Sequence, residues 1–352
     1  MSEPIAEHTP KKHRVLQKAT VAYALTLSCL LMSLEWRAEA WLPLGLLCFA
    51  PPILFALPLA ILTPWAILAR HWFLCAVQVG CVALIFLVFM TCRIHEKKSS
   101  AALTVITHNV GQGNRNAFTD SFPAENPDAV ILQDVAKADH RENEYRRRYP
   151  SYRSRGVSQF ILLTPHEIES AESVNEALWR GKPVAARFVI KIGDQLVAIY
   201  SVHLPTPRSS LKHVFSPRVA LEMLWLSKAP TDGFSSYRDW LDARIALARS
   251  LADVFDKEPL PFIVGGDFNM PDHGIVYHTF ASRLTDAFAA AGRGWGMTFP
   301  GTRDGPIPAL LGRWLRLDYW FAGHGWKPVD CRVGNDTFSQ HSAVLARFDP
   351  VQ

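Results

Sequence analysis

Cysteine is scarce in this sequence, and the positions of the few cysteines exclude several kinds of site. Five of the six lie within apolar segments or at the end of one: Cys29, Cys48, Cys75, Cys81 and Cys92. Cys331 is the only cysteine in the polar remainder of the chain. This arrangement supplies neither a disulfide framework nor the cysteine ligands of a structural zinc site.

A large excess of charge of either sign is also missing from the polar part of the chain. Residues 1–94 contain 7 of the 37 Lys and Arg residues and 4 of the 32 Asp and Glu residues, which leaves 30 and 28 for residues 95–352. The polar part therefore carries a formal charge of +2, that is 30 minus 28. A dedicated nucleic-acid-binding protein usually has a pronounced basic surface, so this balance argues against that class.

The front of the chain lacks charged residues over three long runs, which predicts a membrane region. Residues 19–34, 40–69 and 72–92 contain no Asp, Glu, Lys or Arg. Three helical crossings within residues 19–93 are the favoured interpretation, because one crossing needs about 20 apolar residues. Two crossings are the alternative, since the first run is short and the Pro51-Pro52 pair divides the second.

The distribution of Lys and Arg around these runs predicts the orientation of the chain. With three crossings, five basic residues lie on the side of the N-terminal tail, residues 1–18, and four lie on the opposite side. Because basic residues favour the cytoplasmic side, the tail is predicted to be cytoplasmic. A linker at residues 94–102 then leads to a polar domain, residues 103–352, which is predicted to be extracytoplasmic.

The polar domain alternates strand-like and helix-like segments. Short runs rich in β-branched residues at 103–108, 196–202 and 262–264 predict strands. Apolar residues at helical spacing predict an amphipathic helix over residues 241–255, and the charged residues 141–148 predict a solvated helix. This mixture predicts an α/β or α+β fold, a four-layer sandwich of two packed β-sheets flanked by helices.

The segment 261–269 is the most informative motif in the chain. An apolar strand ending in Gly265 and Gly266 leads directly into Asp267, Phe268 and Asn269. Residues two apart in an extended chain point to the same face, so Asp267 and Asn269 are predicted to face one site. A carboxylate beside an amide suits a reaction in which one group takes a proton from water and the other holds an anion.

Other polar residues follow apolar strands in the same domain, and we expect them to meet Asp267 and Asn269 at one edge of the sheets. They are Asn109, Asp134, His203, Asp318 and His341. These acids, amides and histidines form an oxygen-rich set, which suits Mg²⁺ or Mn²⁺ better than zinc. A hard cation beside histidine and aspartate is typical of phosphoester hydrolysis.

These residues stand in motifs that resemble those of the endonuclease/exonuclease/phosphatase superfamily, over residues 103–348. The motifs, in chain order, are Thr107-His108-Asn109-Val110, Leu132-Gln133-Asp134-Val135, Val202-His203-Leu204, Gly266-Asp267-Phe268-Asn269, Thr298-Phe299-Pro300, Arg316-Leu317-Asp318-Tyr319 and Ser339-Gln340-His341. The resemblance implies that superfamily's sandwich fold and a metal-dependent hydrolase of phosphoester bonds that uses Mg²⁺ or Mn²⁺. The added N-terminal crossings are similar to those of bacterial membrane proteins linked to glycopeptide resistance, which implies a multi-pass protein of the inner or plasma membrane.

The resemblance implies three metal positions. Asp134 would bind the metal with the help of Asn109, and Gln340 occupies the third position. Asp134 stands where the family usually has Glu, and Gln340 stands where it usually has Asp. The two departures imply weaker metal binding or a shifted preference among divalent ions.

The resemblance also implies catalytic roles for the other matched residues. His203 would contact the scissile phosphate. Asp267 would orient or deprotonate the attacking water, with Asn269 beside it. His341 would hold the phosphate or transfer a proton, and Asp318 would fix its tautomer.

The sequence favours a lipid substrate and leaves two alternatives open. A domain held at a bilayer by a short linker meets phosphorylated lipids at high local concentration. We therefore expect the bilayer as a partner and a lipid phosphate or pyrophosphate, such as a polyprenyl phosphate, as the substrate. The alternatives are a membrane-attached nuclease of the same superfamily and a weakened, non-catalytic member.

Overall fold

Apolar helices form the N-terminal part of the computed structural model, which describes residues 11–89, 92–96, 101–111, 125–206, 237–301, 305–334 and 339–351. They are α1 (Lys11–Arg37), α2 (Leu42–Leu47), α3 (Ile53–Ala56), α4 (Leu59–Leu68) and α5 (Trp72–Phe89), with a 3₁₀ turn at Ala38–Ala40. Pro52 and Pro58 stand directly before α3 and α4. Proline lacks the amide hydrogen that a helix interior needs, so these residues divide the second apolar run into short helices.

Helices α1 and α5 lie side by side and run in the same direction. A ring nitrogen of His71 lies 2.9 Å from one of His13, and Gln78 donates a hydrogen bond to Thr20 at 3.2 Å. Both pairs are separated by 58 residues, so one register holds along the two helices. Helix α4 packs against both of them, since Leu62 of α4 lies in one cluster with Leu16 of α1 and Leu74 of α5.

One of these helices is long and apolar enough to cross a membrane, judged on the described residues by length and composition. It extends over His13–Ala40, and the other apolar helices, Ile53–Leu68 and Trp72–Leu87, are shorter. The helix includes Arg14 and Lys18, so it begins before residue 19, the predicted start of the first crossing. The three crossings stay a prediction.

Two six-stranded mixed sheets pack face to face in the polar domain. The first sheet has the order β12 (Thr285–Asp286), β14 (Asp318–Ala322), β11 (Phe262–Asp267), β10 (Gln195–His203), β9 (Ala185–Ile192), β6 (Glu167–Ser173). The second has the order β15 (Trp326–Val333), β16 (Val344–Pro350), β2 (Leu103–Asn109), β3 (Ala129–Gln133), β5 (Phe160–Thr164), β4 (Arg153–Val157). The pairs β10–β11 and β2–β3 are parallel, and the other pairs are antiparallel.

Helices α6 (Ala138–Arg148), α7 (Tyr237–Phe255) and α8 (Gly274–Ala281) cover the outer faces of the sheets. The short helix α9 (Ala287–Ala291) packs Phe288 into the core between the sheets, and α10 (Pro306–Leu311) is a further short helix. Alternate residues of each strand build separate cores: Val105 of β2 packs between the sheets, and Ile106 packs outward with Ala138 of α6. Leu251 of α7 and Phe280 of α8 cover the other outer face. The predicted fold, two packed β-sheets flanked by helices, is confirmed.

Two short ribbons complete the described structure, and the sequence did not predict either. β1 (Cys92–Ile94) pairs antiparallel with β13 (Arg293–Trp295), and β7 (Leu178–Trp179) pairs with β8 (Lys182–Pro183). The predicted linker at 94–102 therefore begins in a strand that belongs to the polar domain, and its residues 97–100 lie outside the described residues.

Candidate active site

The ends of neighbouring strands bring the candidate site residues together. β10 and β11 are parallel, so His203 and Asp267 are paired at their carboxyl ends. β14 runs antiparallel to β11, and its first residue, Asp318, is paired with Asp267 as well. Asn109 ends β2 of the other sheet and donates its side-chain amide to Asp267 Oδ2 at 2.7 Å. The site therefore bridges the two sheets at one edge.

Asp267 is the fully buried centre of this arrangement. Its Oδ1 accepts a hydrogen bond from the backbone N–H of Asn269 at 2.8 Å, and its Oδ2 accepts one from the Asn269 amide at 3.1 Å. The Nε2 atoms of His203 and His341 lie 3.7 Å and 3.6 Å from the same Oδ2. One carboxylate therefore lies within reach of two amides and two imidazoles.

Burial controls the protonation of two of these groups. It raises the pKa of the Asp267 carboxyl above its usual range; the imidazoles act in the opposite direction, and nearby Asp318 adds to the increase. Burial lowers the pKa of His203 below its usual range, and the attraction of Asp267 only partly offsets this. A carboxylate with a raised pKa beside a neutral imidazole is a better proton acceptor than an exposed one.

Gln159 orients the His203 ring. His203 Nδ1 lies 2.7 Å from Gln159 Oε1, while the Gln159 amide nitrogen donates to the Pro183 carbonyl at 3.5 Å. Because Oε1 only accepts, Nδ1 carries the proton in the neutral ring, and the unprotonated Nε2 faces Asp267. Sequence reasoning missed Gln159, since a lone glutamine between two strands has no motif around it.

Asp318 fixes the ring of His341, the second imidazole near Asp267. His341 Nδ1 lies 2.9 Å from Asp318 Oδ2. The backbone N–H of His341 donates to Ser339 Oγ at 3.2 Å, and that hydroxyl donates to the Asn109 carbonyl at 2.7 Å. The Phe299 ring packs on the imidazole, with centroids 4.9 Å apart. The ring orientation is therefore fixed by a carboxylate, the backbone and an aromatic contact.

The turn after β11 explains the glycine and asparagine of the central motif. Gly266 has φ +141°, and a Cβ there would lie 2.0 Å from the Val202 carbonyl oxygen. Asn269 has φ +48°, a conformation that asparagine tolerates better than most residues. The predicted contact of Asp267 with Asn269 is present, but a left-handed turn produces it, because β11 ends at Asp267.

Arg244 of α7 fixes the same turn from outside the sheet, and sequence reasoning missed it. Its side chain is buried and donates to the carbonyl oxygens of Asn269 at 2.7 Å and Phe268 at 3.4 Å. Its one signal in the sequence is its place on the apolar face of α7, between Leu241 and Ala248.

Three side chains of the site could hold a metal ion. Asp267, Asp318 and His341 each offer a ligand atom, and these atoms lie within 4.8 Å of one another. Asp318 Oδ1 is buried and has no hydrogen-bond partner among the described residues. An unpartnered buried carboxylate oxygen in an oxygen-rich group fits a hard divalent cation.

The three predicted metal positions differ in their burial and in their contacts with this group. Asn109 is buried and contacts Asp267 directly. Asp134 is half-buried, has φ +57°, and follows Gln133, the partner of Asn109 in the β2–β3 register. Gln340 is exposed and stands next to His341.

The family of the chain follows from a comparison with family models. The model described as "Endonuclease/Exonuclease/phosphatase family" matches residues 106–341, and the chain belongs to this family. The matched range contains every candidate site residue. Members of the family are typically metal-dependent hydrolases of phosphoester bonds, and they typically use a divalent metal.

A comparison with solved structures finds matches to part of the chain. The human Nocturnin catalytic domain with bound sulfate is 16% identical, with 71% of this chain and 94% of that chain covered and a TM-score of 0.47. A mannosyl-6-phosphatase from Bacteroides thetaiotaomicron is 14% identical (70% and 99% covered, TM-score 0.48). D. rerio TDP2, humanized by 14 mutations, is 13% identical (70% and 98% covered, TM-score 0.48). No curated protein matches the sequence.

Proposed function

We propose that this chain is a membrane-anchored, divalent-metal-dependent phosphoesterase that hydrolyses a phosphoester or pyrophosphate bond in a lipid-linked substrate. One observation carries the proposal: the buried Asp267 lies within 3.7 Å of two oriented imidazoles and accepts the Asn109 amide. In a family of phosphoester hydrolases, such a carboxylate is suited to activate water beside a phosphate.

The protonation state of each side chain determines its role in the proposed reaction. Asp267 takes a proton from the attacking water, since its pKa is raised and Asn269 fixes its orientation. His203 presents an unprotonated Nε2, because Gln159 binds its Nδ1. His341, held at Nδ1 by Asp318, contacts the phosphate, and in its doubly protonated form it gives the Nε2 proton to the leaving oxygen while Asp267 holds the proton taken from water. The Asn109 and Asn269 amides restrain the position of the carboxylate.

We assign the metal to Asn109 and Asp134, with Gln340 beside His341. When bound, a divalent cation neutralises charge on the phosphate oxygens. The group of Asp267, Asp318 and His341 is the alternative location.

Contacts between the apolar helices and the polar domain support the choice of a lipid. Trp36 near the end of α1 stacks on His278 of α8, and Phe86 near the end of α5 packs on Trp295 of β13 with ring centroids 6.2 Å apart. The opposite ends of α1 and α5 meet at His13 and His71. We propose three crossings of a bacterial inner or plasma membrane, and the distribution of Lys and Arg favours the extracytoplasmic side for the domain.

The alternatives are a membrane-attached nuclease and a member that binds without catalysis. The balanced charge of the polar part speaks against the nuclease, because polynucleotide binding needs a basic surface. Asp134 and Gln340, where the family usually has Glu and Asp, keep the non-catalytic alternative open.

Phosphate release by the detergent-solubilised full-length protein tests the proposal. The assay contains Mg²⁺ or Mn²⁺ and, separately, polyprenyl pyrophosphate, phosphatidic acid, sphingomyelin (read as phosphocholine release) or plasmid DNA, with Asp267→Ala as the control. Metal-dependent turnover of a lipid that the control lacks supports the proposal. Nicking of DNA alone favours the nuclease, and no turnover of any substrate favours the non-catalytic member.

A further inference from the structure

The end of the first apolar helix holds the start of α8 through one buried carboxylate. Glu39, in the turn that follows α1, is 6% exposed. Its Oε2 accepts the backbone N–H of Ile275 at 2.6 Å, and its Oε1 accepts that of Val276 at 3.4 Å. The first N–H groups of a helix have no partner within the helix, and a carboxylate there is favoured by the helix dipole. A residue distant in sequence thus caps α8.

Gly274 leaves room for this carboxylate. It has φ +89°, and a Cβ at this position would lie 2.5 Å from Glu39 Oε2 and 3.0 Å from the Ala38 Cβ. A side chain at 274 would therefore displace Glu39. The first residue of α8 and the turn after α1 fit each other closely.

A second set of contacts fixes the same helix to α1 one turn further along. The rings of Trp36 and His278 are stacked, with centroids 4.4 Å apart and planes at 8°. His278 Nε2 lies 2.9 Å from the Glu35 carbonyl oxygen. Helix α8 is therefore attached to α1 along one face and not at Glu39 alone.

The capped end of α8 is close to the turn after β11 that carries Asp267 and Asn269, which we call the catalytic turn. Residues 270–273 separate Asn269 from the first residue of α8. Tyr319, the neighbour of Asp318 in β14, donates to the Met270 carbonyl at 2.9 Å. Tyr277 of α8 donates to Asp286 at 2.8 Å, and Asp286 forms an ion pair with Arg316. Movement of α8 would therefore reach both acids of the site.

The N-terminal apolar helices, residues 11–89 (the apolar region), also support the catalytic turn indirectly, because they pack against α7. Leu46 and Phe49 pack against the cluster of Trp240 and Leu241 in α7. One helical turn further along, Arg244 holds the carbonyl oxygen of Asn269. The turn is thus supported from both sides by helices that contact the apolar region.

We infer that Glu39 is a positioning residue for the catalytic turn: it holds the beginning of α8, and thereby the placement of Asp267 and Asn269. The inference rests on the proposed function and extends it, because it makes the apolar region a part of the catalytic unit. Loss of Glu39 then lowers turnover itself, besides any change in local substrate concentration.

Substitution of Glu39 in the full-length protein tests this inference. Glu39→Ala is expected to lower kcat about tenfold with KM within about threefold, because small misplacements of catalytic groups are costly. Glu39→Gln, which keeps one acceptor oxygen, is expected to lose less. The matched control Arg37→Gln removes a charge from an exposed side chain at the same helix end, which has no contact with α8 among the described residues, and it keeps kcat. Deuterium uptake over residues 268–281 rises in Glu39→Ala and not in the control.

Gly274→Ala provides a second variant if Glu39→Ala does not fold. It should lower kcat, and Glu39→Gln combined with Gly274→Ala should be no worse than Gly274→Ala alone, because both act on the same contact. Losses that multiply overturn the inference. An unchanged kcat with a lower Tm in Glu39→Ala also overturns it, since the residue is then structural only. If the wild type turns over none of the substrates, the proposed function fails, and unchanged deuterium uptake then separately overturns the positioning role.

Discussion

His341 Nδ1 lies 2.9 Å from Asp318 Oδ2, while the other oxygen of the same carboxylate is buried without a hydrogen-bond partner among the described residues. The pair therefore fixes one ring nitrogen and leaves Nε2 facing Asp267 at 3.6 Å. The proton on Nδ1 depends on an acceptor at position 318, since a neutral imidazole carries only one.

Asp318→Asn is expected to lower kcat about 10²-fold or more, because an amide in this place can donate to Nδ1 and reverse the tautomer of His341. KM should change much less, since the substitution keeps the size of the side chain. Steady-state kinetics on the lipid substrate, with a melting curve to establish folding, measure the effect. A kcat within twofold of the wild type would remove Asp318 from the proposed mechanism.

Asp267→Asn is expected to abolish turnover, because an amide cannot take a proton from water. The folded-state pKa of Asp267 is raised by burial, so the charged form is disfavoured in the fold, and stability falls as the pH rises from the ordinary carboxyl value through that pKa. The asparagine removes this pH dependence, while its amide nitrogen would face the donors that now bind Asp267 Oδ2 and would lower Tm at every pH. Tm in EDTA should therefore fall less steeply with rising pH in Asp267→Asn than in the wild type. Equal slopes would contradict the assigned direction of the pKa.

His203 predicts a loss of stability on acidification. Its folded-state pKa lies below the ordinary value near 6.5, so the unfolded chain binds the proton more readily. The contribution is complete above pH 6.5 and is lost as the pH falls towards the folded-state pKa. His203→Gln should flatten the dependence of Tm on pH between pH 5 and 7. Parallel wild-type and variant curves in this range would argue against a neutral His203.

Gln340→Asp is expected to raise Mg²⁺ affinity about tenfold, because it returns a carboxylate to a proposed metal position. Gln340→Asn is the matched control without charge. Metal titration of both variants measures the effect, and equal affinities would contradict it. Asp134→Ala and Asp318→Ala then separate the two candidate locations: a loss of affinity in Asp318→Ala alone would move the metal to the group with Asp267 and His341.

Gly266→Ala is expected to destabilise the protein by at least about 2 kcal/mol, because the backbone strain adds to a severe clash. The added Cβ would lie 2.0 Å from the Val202 carbonyl oxygen. Gly193→Ala is a useful control, since its φ is +59° and its added Cβ would meet no atom within 4 Å. Equal losses of Tm in the two variants would show that the clash between the added Cβ and β10 does not contribute to the loss of stability.

The convergence of the polar residues could be predicted because each follows or begins a strand. Asn109, His203 and Asp267 come directly at the ends of apolar runs, and the order of strands then places these ends at one edge. The two sheets and their helical layers followed from the same alternation of residues.

The supports of the site could not be predicted, because they depend on contacts between distant segments. Gln159 reaches His203 across 44 residues, and Glu39 reaches Ile275 across 236. Neither residue belongs to a local pattern, and β1 is too short for its pairing with β13 to be recognised from propensity.

The pairing of Cys92–Ile94 with Arg293–Trp295 also determines how the polar domain could be separated from its helices. A nick between residues 96 and 101 would cut the covalent connection, yet β1, Glu39 and Phe86 would still hold the two pieces as one complex. A protease site alone would therefore not release a soluble fragment. The surface of α8 and the edge of β13 that removal of the helices would expose also have to be redesigned.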